Sequence, residues 1–468
     1  MDTIAVTRHG KIRGRIQDGG AAFLGVPYAA PPFGAGRFLA PQPVTPWDGV
    51  RDCLSFGATA PKRPYRPPLD EILPDPDVAG DDCLNVNVWT PSPAPGPSLP
   101  VMVWIHGGSL RNGSNVIPLY DGAAFARDGV VLVSVNYRLG VEGFGVFPDA
   151  PDNRGLLDQL EALRWVRDNV AAFGGDPGNV TVFGESAGAI CIAALLTSPH
   201  AHGLFHRAVM QSGPPHTVSR KEGATIVKVM ARALGVPPRA AAFADVDPSS
   251  LLDAQVAATS KGNPITGGPG FHIVADGDVV VPGGELPADV DLLVGANREE
   301  YRLWLVPTGA VRRISPLVLR LAMLKFRIPW RVAGLYRSSR PGAPPGEILG
   351  EIATDMLLRG PINRLADSHR GRSFVYEFAW RSPERDLGAC HALEIGFVFD
   401  NLAAARELTG PDAPQPLADT MHRAWIAFAS GGDPGWPAWD ASRPVMVFDA
   451  PESGIVHAPR DEELRAWL

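Results

Sequence analysis

Short runs of apolar and β-branched residues alternate along this chain with segments whose apolar positions recur every three or four residues. The runs at 101–106, 130–137, 180–183, 207–211, 292–295, 374–380 and 445–448 predict strands. Several are almost continuously apolar, the pattern of strands covered on both faces. Leu156, Leu160, Leu163, Val166 and Val170 share one face of a helix, with Arg and Asp opposite and Gly174-Gly175 closing it. Strands alternating with such helices predict an α/β fold: a mostly parallel sheet with helices on both faces.

Composition narrows the picture. At 45% hydrophobic and 20% charged, the chain has the balance of a folded globular protein. A net charge of -7 excludes a general nucleic-acid binder, which needs a basic surface. No apolar run reaches membrane-spanning length, so no stable membrane insertion is expected. The N-terminal residues lack the layout of a signal peptide. Cys53, Cys83, Cys191 and Cys390 are too scattered for a disulfide framework, which points to a cytoplasmic location. The sequons at Asn112 and Asn179 then carry no glycan. The proline-rich stretches 61–76 and 91–100 read as surface loops rather than domain boundaries.

Candidate chemistry centres on Gly184-Glu185-Ser186-Ala187-Gly188, between a β-branched strand and an Ala-rich helix. A strand turning sharply into a helix leaves Ser186 exposed at the apex, and the flanking glycines let backbone pack close. Upstream, the strand ending at His106 runs into Gly107-Gly108-Ser109. A glycine-rich turn there can aim backbone N–H groups at a developing oxyanion. Gly108 and Ser109 within Gly107–Ser109, with Ala187 after the nucleophile, are the expected donors.

The stretch from Phe173-Gly174-Gly175-Asp176-Pro177 through Gly184–Gly188 resembles the serine signature of the type-B carboxylesterases. Asp81-Asp82-Cys83-Leu84-Asn85-Val86-Asn87-Val88-Trp89 resembles that family's second signature. Gly25-Val26-Pro27-Tyr28-Ala29, Arg37-Phe38 and Gly432-Asp433-Pro434 with Trp436-Pro437 also fit, so the likeness spans nearly the whole chain. It is strongest to bacterial carboxylesterases and p-nitrobenzyl esterases. It implies one α/β-hydrolase domain over 1–468, hydrolysing small-molecule carboxylic esters through a serine, with neither cofactor nor metal.

A serine nucleophile needs an imidazole base, held in turn by a carboxylate. The loop Gly388-Ala389-Cys390-His391 resembles the family's histidine loop and makes His391 the expected base. For the acid, the strand Leu292–Asn297 leads into Arg298-Glu299-Glu300. Alignment on Gly295 and Asn297 favours Glu300, but Tyr301 stands where the family has glycine, so Glu299 stays open. By the same resemblance Glu185 lies near the catalytic histidine, and Ser212 hydrogen-bonds within the triad network. Arg37 with Asp81 and Arg138 with Asp158 form internal ion pairs. His200, His202, His206 and His216 cluster in sequence without carboxylates or cysteines at ligand spacing, so no metal site is expected.

The departures are informative. Cys83 matches one half of a disulfide found in eukaryotic relatives, but Ala60 occupies the partner position, which implies free thiols. Residues 64–80 hold no aromatic besides Tyr65, so the tryptophan that binds choline in cholinesterases is missing and uncharged esters are expected. Residues 301–346 carry nine Arg or Lys and no acid. They read as cap helices over the active site with a solvated basic face, interrupted by Pro307, Pro316 and Pro329; docking on anionic lipid, or electrostatic steering of acidic substrates, is the alternative. Carbamate, amide or lactone cleavage remains the competing chemistry. A non-catalytic binding or adhesion relative is the competing class.

Overall fold

A computed structural model of the chain describes residues 2–17, 20–93, 98–260 and 270–467. Of the proline-rich stretch 91–100, residues 94–97 lie outside the described residues. Strands β1 (Asp2–Thr7), β2 (Gly10–Gln17), β3 (Gly20–Pro27) and β4 (Val50–Asp52) open the chain. They are followed by β5 (Asn85–Thr90), β6 (Leu99–Ile105), β7 (Val131–Val135), β8 (Gly175–Glu185) and β9 (Arg207–Gln211). Short strands β10 (Val218–Ser219) and β11 (Val274–Ala275) pair separately. The large sheet resumes with β12 (Asp291–Asn297), β13 (Ser373–Phe378), β14 (Pro444–Phe448) and β15 (Gly454–His457).

Among the described residues the large sheet has the order β1-β2-β3-β5-β7-β6-β8-β9-β12-β13-β14-β15, with β4 beside β2. From β7 to β14 every neighbouring pair is parallel, and these are the seven strands that the apolar runs predict. The flanks are antiparallel, apart from the short β4 that runs parallel to β2, and no apolar run predicts them. Their pattern is weaker for a physical reason: Ile4 and Val6 of β1 face solvent, so burial covers only part of the strand.

Period-two alternation divides the core into two layers. Val101, Val103 and Ile105 of β6 join one apolar cluster, while Met102 and Trp104 join the other. Helix α1 (Arg154–Asn169) lays Leu156, Leu160, Leu163 and Val166 on the first layer, joined by α2 (Ala187–Leu196). The second layer receives Leu417, Met421, Trp425 and Phe428 from the helix Gln415–Gly431. Both faces of the sheet are thus covered, as the alternating pattern requires. This is the architecture of an α/β-hydrolase.

Residues 301–346 are helical in short pieces: Arg302–Leu305, Ala310–Arg313, α3 (Pro316–Lys325) and α4 (Trp330–Ser339). Pro316 starts α3 after the cap Ser315, and Pro329 precedes α4, so the prolines act as punctuation. With the following helix Pro345–Thr354 they enclose a small core around Leu319, Met323, Val332, Tyr336 and Ile352.

Two ion-pair expectations part company here. Arg138 and Asp158 are fully buried and joined through two side-chain hydrogen bonds of 2.6 and 2.8 Å. Arg37 does not meet Asp81. It pairs with Glu142 at 2.7 Å and donates to Ala244 and Val246 carbonyls, because its turn faces the helix Gly140–Phe144. Asp81 is exposed instead. All four cysteines are free and buried.

Candidate active site

Ser186 sits between β8 and α2 with φ 55° and ψ −121°, a strained conformation for a residue with a side chain. Its neighbours make that turn possible. A Cβ at Gly188 would stand 2.0 Å from the Ile105 carbonyl oxygen, and one at Gly184 would stand 2.6 Å from it. Only glycine lets the end of β6 pass this close. Backbone bonds from Ser186 N to Gln211 O (2.8 Å) and from Ile190 N to Ser186 O (3.0 Å) hold the apex.

The glycine-rich turn lies against this apex. A Cβ on Gly107 would be 3.2 Å from that of Ser186 and 2.8 Å from the Glu185 carboxylate. Gly108 has φ +112°, where any side chain would strike the Asn112 carbonyl, and Ser109 follows at φ 56°. The N–H groups of Gly108, Ser109 and Ala187 have no protein acceptor among the described residues. His106 braces the turn: its Nδ1 meets Gly107 O at 2.8 Å, and its ring stacks on Tyr137. Burial lowers the His106 pKa to about 3, so this imidazole stays neutral.

The structure brings His391 between two carboxylates. Nδ1 lies 2.6 Å from Glu300 Oε2, and Nε2 lies 2.9 Å from Glu185 Oε1. All three side chains are buried, and Trp304 packs its ring 4.6 Å from the imidazole. Burial works against a charged His391, but Glu185 and Glu300 outweigh it and hold its pKa well above the usual value. Burial also raises the pKa of Glu185, and the charge of His391 opposes the rise.

Glu300 Oε1 accepts the Asn297 N–H at 2.7 Å, closing the turn after β12. Glu299 points away, to Arg381, to Arg302 at 3.6 Å, and to the Ala389 N–H at 3.0 Å. Of the two adjacent glutamates, Glu300 therefore meets the imidazole, and Glu299 ties the histidine loop to two arginines.

Ser212 does not make the expected side-chain contact. Its hydroxyl is buried without a hydrogen bond among the described residues, while its N–H donates to Gly295 O at 2.8 Å. Its φ of 52° turns it as a backbone hinge at the end of β9.

One group went unrecognised in the sequence. Glu394 accepts from Gln211 Nε2 at 3.0 Å and Asn297 Nδ2 at 2.6 Å, and Trp425 bonds the same glutamine. Burial, with the nearby Glu185 and Glu300 charges, raises its pKa to about 8, so it is mostly protonated at neutral pH. Its only sequence signal is its position three residues after His391.

The histidines near 200 do not converge. His200 faces Asp278, His206 accepts from the Val180 N–H, and His216 lies beside His272. No group of three or more His, Cys, Asp or Glu is arranged to hold a metal among the described residues.

A serine at a strand-to-helix elbow, with a glycine turn against it and a histidine–glutamate pair above a parallel sheet, has the layout of an α/β-hydrolase site. Residues 1–314 match the carboxylesterase family model. The chain is 36% identical to the para-nitrobenzyl esterase of Bacillus subtilis, over 98% of itself and 97% of that protein. It is likewise 36% identical to the phenmedipham hydrolase of Pseudarthrobacter oxydans, over 97% and 96%. Among solved structures, a thermophilic PNB esterase superposes over the full length of both chains with TM-score 0.87 at 33% identity. A carboxylesterase from Geobacillus stearothermophilus does so at 0.87 and 32%. The chain belongs to the carboxylesterase family and is a carboxylic ester hydrolase.

Proposed function

We propose that this esterase works through an acyl-enzyme on Ser186, with His391 as base, Glu300 as its orienting acid, and Gly108, Ser109 and Ala187 as oxyanion donors. The 2.6 Å contact between Glu300 and His391 Nδ1, with Nε2 of the same ring on the Glu185 that precedes the strained serine, supports the reading. It leaves Nε2 as the proton-accepting atom. A neutral imidazole presents a lone pair at Nε2, which the Glu185 carboxylate repels; a protonated one is held there. Deprotonation thus frees the base for the Ser186 hydroxyl. Ser186 Oγ attacks the ester carbonyl, His391 takes its proton and returns it to the departing alcohol, and water repeats the cycle. Gly107 supplies clearance for the oxyanion turn, and Ser212 acts through its backbone.

The substrates are uncharged esters. Glu185 and Glu300 flank the histidine, which disfavours anionic ones, and the tryptophan for a quaternary ammonium is missing at 64–80. Carbamates are the second reading, favoured by equal identity to the phenmedipham hydrolase. The four unlinked thiols support a cytoplasmic protein. The packing of Trp304 on His391 supports one domain over 1–468 with 301–346 as its cap.

The test is labelling with a fluorophosphonate, followed by peptide mapping and hydrolysis of p-nitrophenyl esters and an aryl carbamate. Labelling at Ser186, lost in S186A together with both activities, is expected. A label on another residue, or an S186A variant that still turns over, overturns the assignment.

A further inference from the structure

Helix α3 carries two apolar stripes, and only one is inside. Leu319 and Met323 enter the small core with α4. Leu317, Leu321 and Leu324, at i, i+4 and i+7, form a second ridge that is 64, 57 and 76% exposed. Val318 on the same helix and Trp330 at the start of α4 are exposed as well. The sequence reading gave this segment a solvated basic face. Arg320, Lys325 and Arg327 are exposed in keeping with it, and the same face also carries this apolar crest.

The charges follow the same division. Arg302 and Arg340 turn inward to Glu347, Glu351 and Glu463. Arg312, Arg313, Arg331 and Arg337 stay exposed, and Arg337 lies over the Trp330 ring at 5.0 Å. No acid occurs anywhere from 301 to 346. A second copy of this face would therefore meet cation with cation. A surface offering hydrocarbon beneath a layer of negative charge matches both features.

We propose that α3 and the start of α4 dock this protein on an anionic phospholipid leaflet. Leu317, Leu321, Leu324 and Trp330 enter the acyl boundary, while the flanking Arg and Lys side chains reach back to the phosphates. Docking is peripheral and reversible. It would bring the enzyme to the phase in which apolar esters concentrate, and it does not depend on the catalytic assignments.

The experiment is sedimentation of the full chain with vesicles of phosphatidylcholine alone or mixed with phosphatidylglycerol, at low and high salt. Binding to the mixed vesicles, weakened by salt and at least about tenfold weaker in L317S/L321S/L324S, is expected. R320E/R327E should lose the preference for the anionic lipid. Both variants should hydrolyse soluble p-nitrophenyl acetate like the parent, which shows that they fold. The proposal is overturned by absent binding, by equal binding to both vesicle types, or by undiminished binding of the leucine variant. It is equally overturned if the parent dimerises and the leucine variant becomes monomeric, since a second copy then covers the ridge.

Discussion

Glu300 and His391 meet at 2.6 Å, while Glu299, one residue earlier, faces Arg302 and Arg381. Adjacent glutamates therefore have separable consequences. E300Q keeps the shape but removes the carboxylate that orders the imidazole, and kcat should fall by about 10³–10⁴. E299Q leaves Arg302 short of a buried partner and should cost about 1–3 kcal/mol of stability with little change in kcat. Steady-state kinetics and urea denaturation separate the two; equal kcat losses would defeat the distinction.

The acid limb of the pH profile should lie higher than a free histidine would give. An unperturbed imidazole loses its proton near pH 6.5. Burial would lower that value, but Glu185 and Glu300 stabilise the protonated ring more strongly and raise it. Since only the neutral ring can accept the serine proton, activity is lost as pH falls through the raised value. E185Q removes one raising charge and should move the limb to lower pH. Profiles of kcat/KM against pH for the parent and E185Q decide this, and an unmoved limb would count against it.

Gly107 should be intolerant of a methyl group. The added Cβ would press on the Glu185 carboxylate and the Ser186 side chain, displacing the turn that supplies the oxyanion donors. G107A should keep its cooperative melt and lose about 10²–10³ in kcat, the loss seen when an oxyanion donor is misplaced. A variant with full kcat would show that the turn is not part of the site.

The central strands were legible because burial on both faces leaves near-continuous apolar runs. Ser186 was legible because its elbow is a local steric requirement written in Gly184 and Gly188. Choosing between Glu299 and Glu300 was not a local matter: both follow β12 and both are buried. The loop carrying Ala389 and His391, brought in by β13, separates them. Glu394 escaped for the same reason, since Gln211, Asn297 and Trp425 reach it from three different elements. Arg37 was misassigned because a sequence shows a charge but not which surface its turn will face. In α3 both stripes, Leu319 with Met323 and Leu317 with Leu321 and Leu324, are apolar, and the sequence cannot say which one the fold leaves outside.

The thiols should be silent in the native protein. Burial pushes the pKa of Cys53 and Cys191 up to about 12, and that of Cys390 well above its usual value. Ellman's reagent at pH 8 should detect no thiol before unfolding and all four cysteines in guanidinium without reductant. A lower count in denaturant would reveal a disulfide and remove the support for a cytoplasmic location.

The Arg138–Asp158 pair offers the sharpest stability test. Burial opposes the guanidinium charge, and the Asp158 carboxylate overcomes it, holding the Arg138 pKa above its ordinary value. D158N strands that charge inside the protein and should cost about 3–5 kcal/mol. Replacing both partners with apolar residues, as in R138M/D158L, removes the charge together with its partner and should cost less than D158N alone. Urea denaturation of the three proteins gives the comparison directly. If the double variant is the less stable one, the pair contributes more than mutual neutralisation. The further hydrogen bond from Arg138 to the Leu39 carbonyl would then be the contact to remove next.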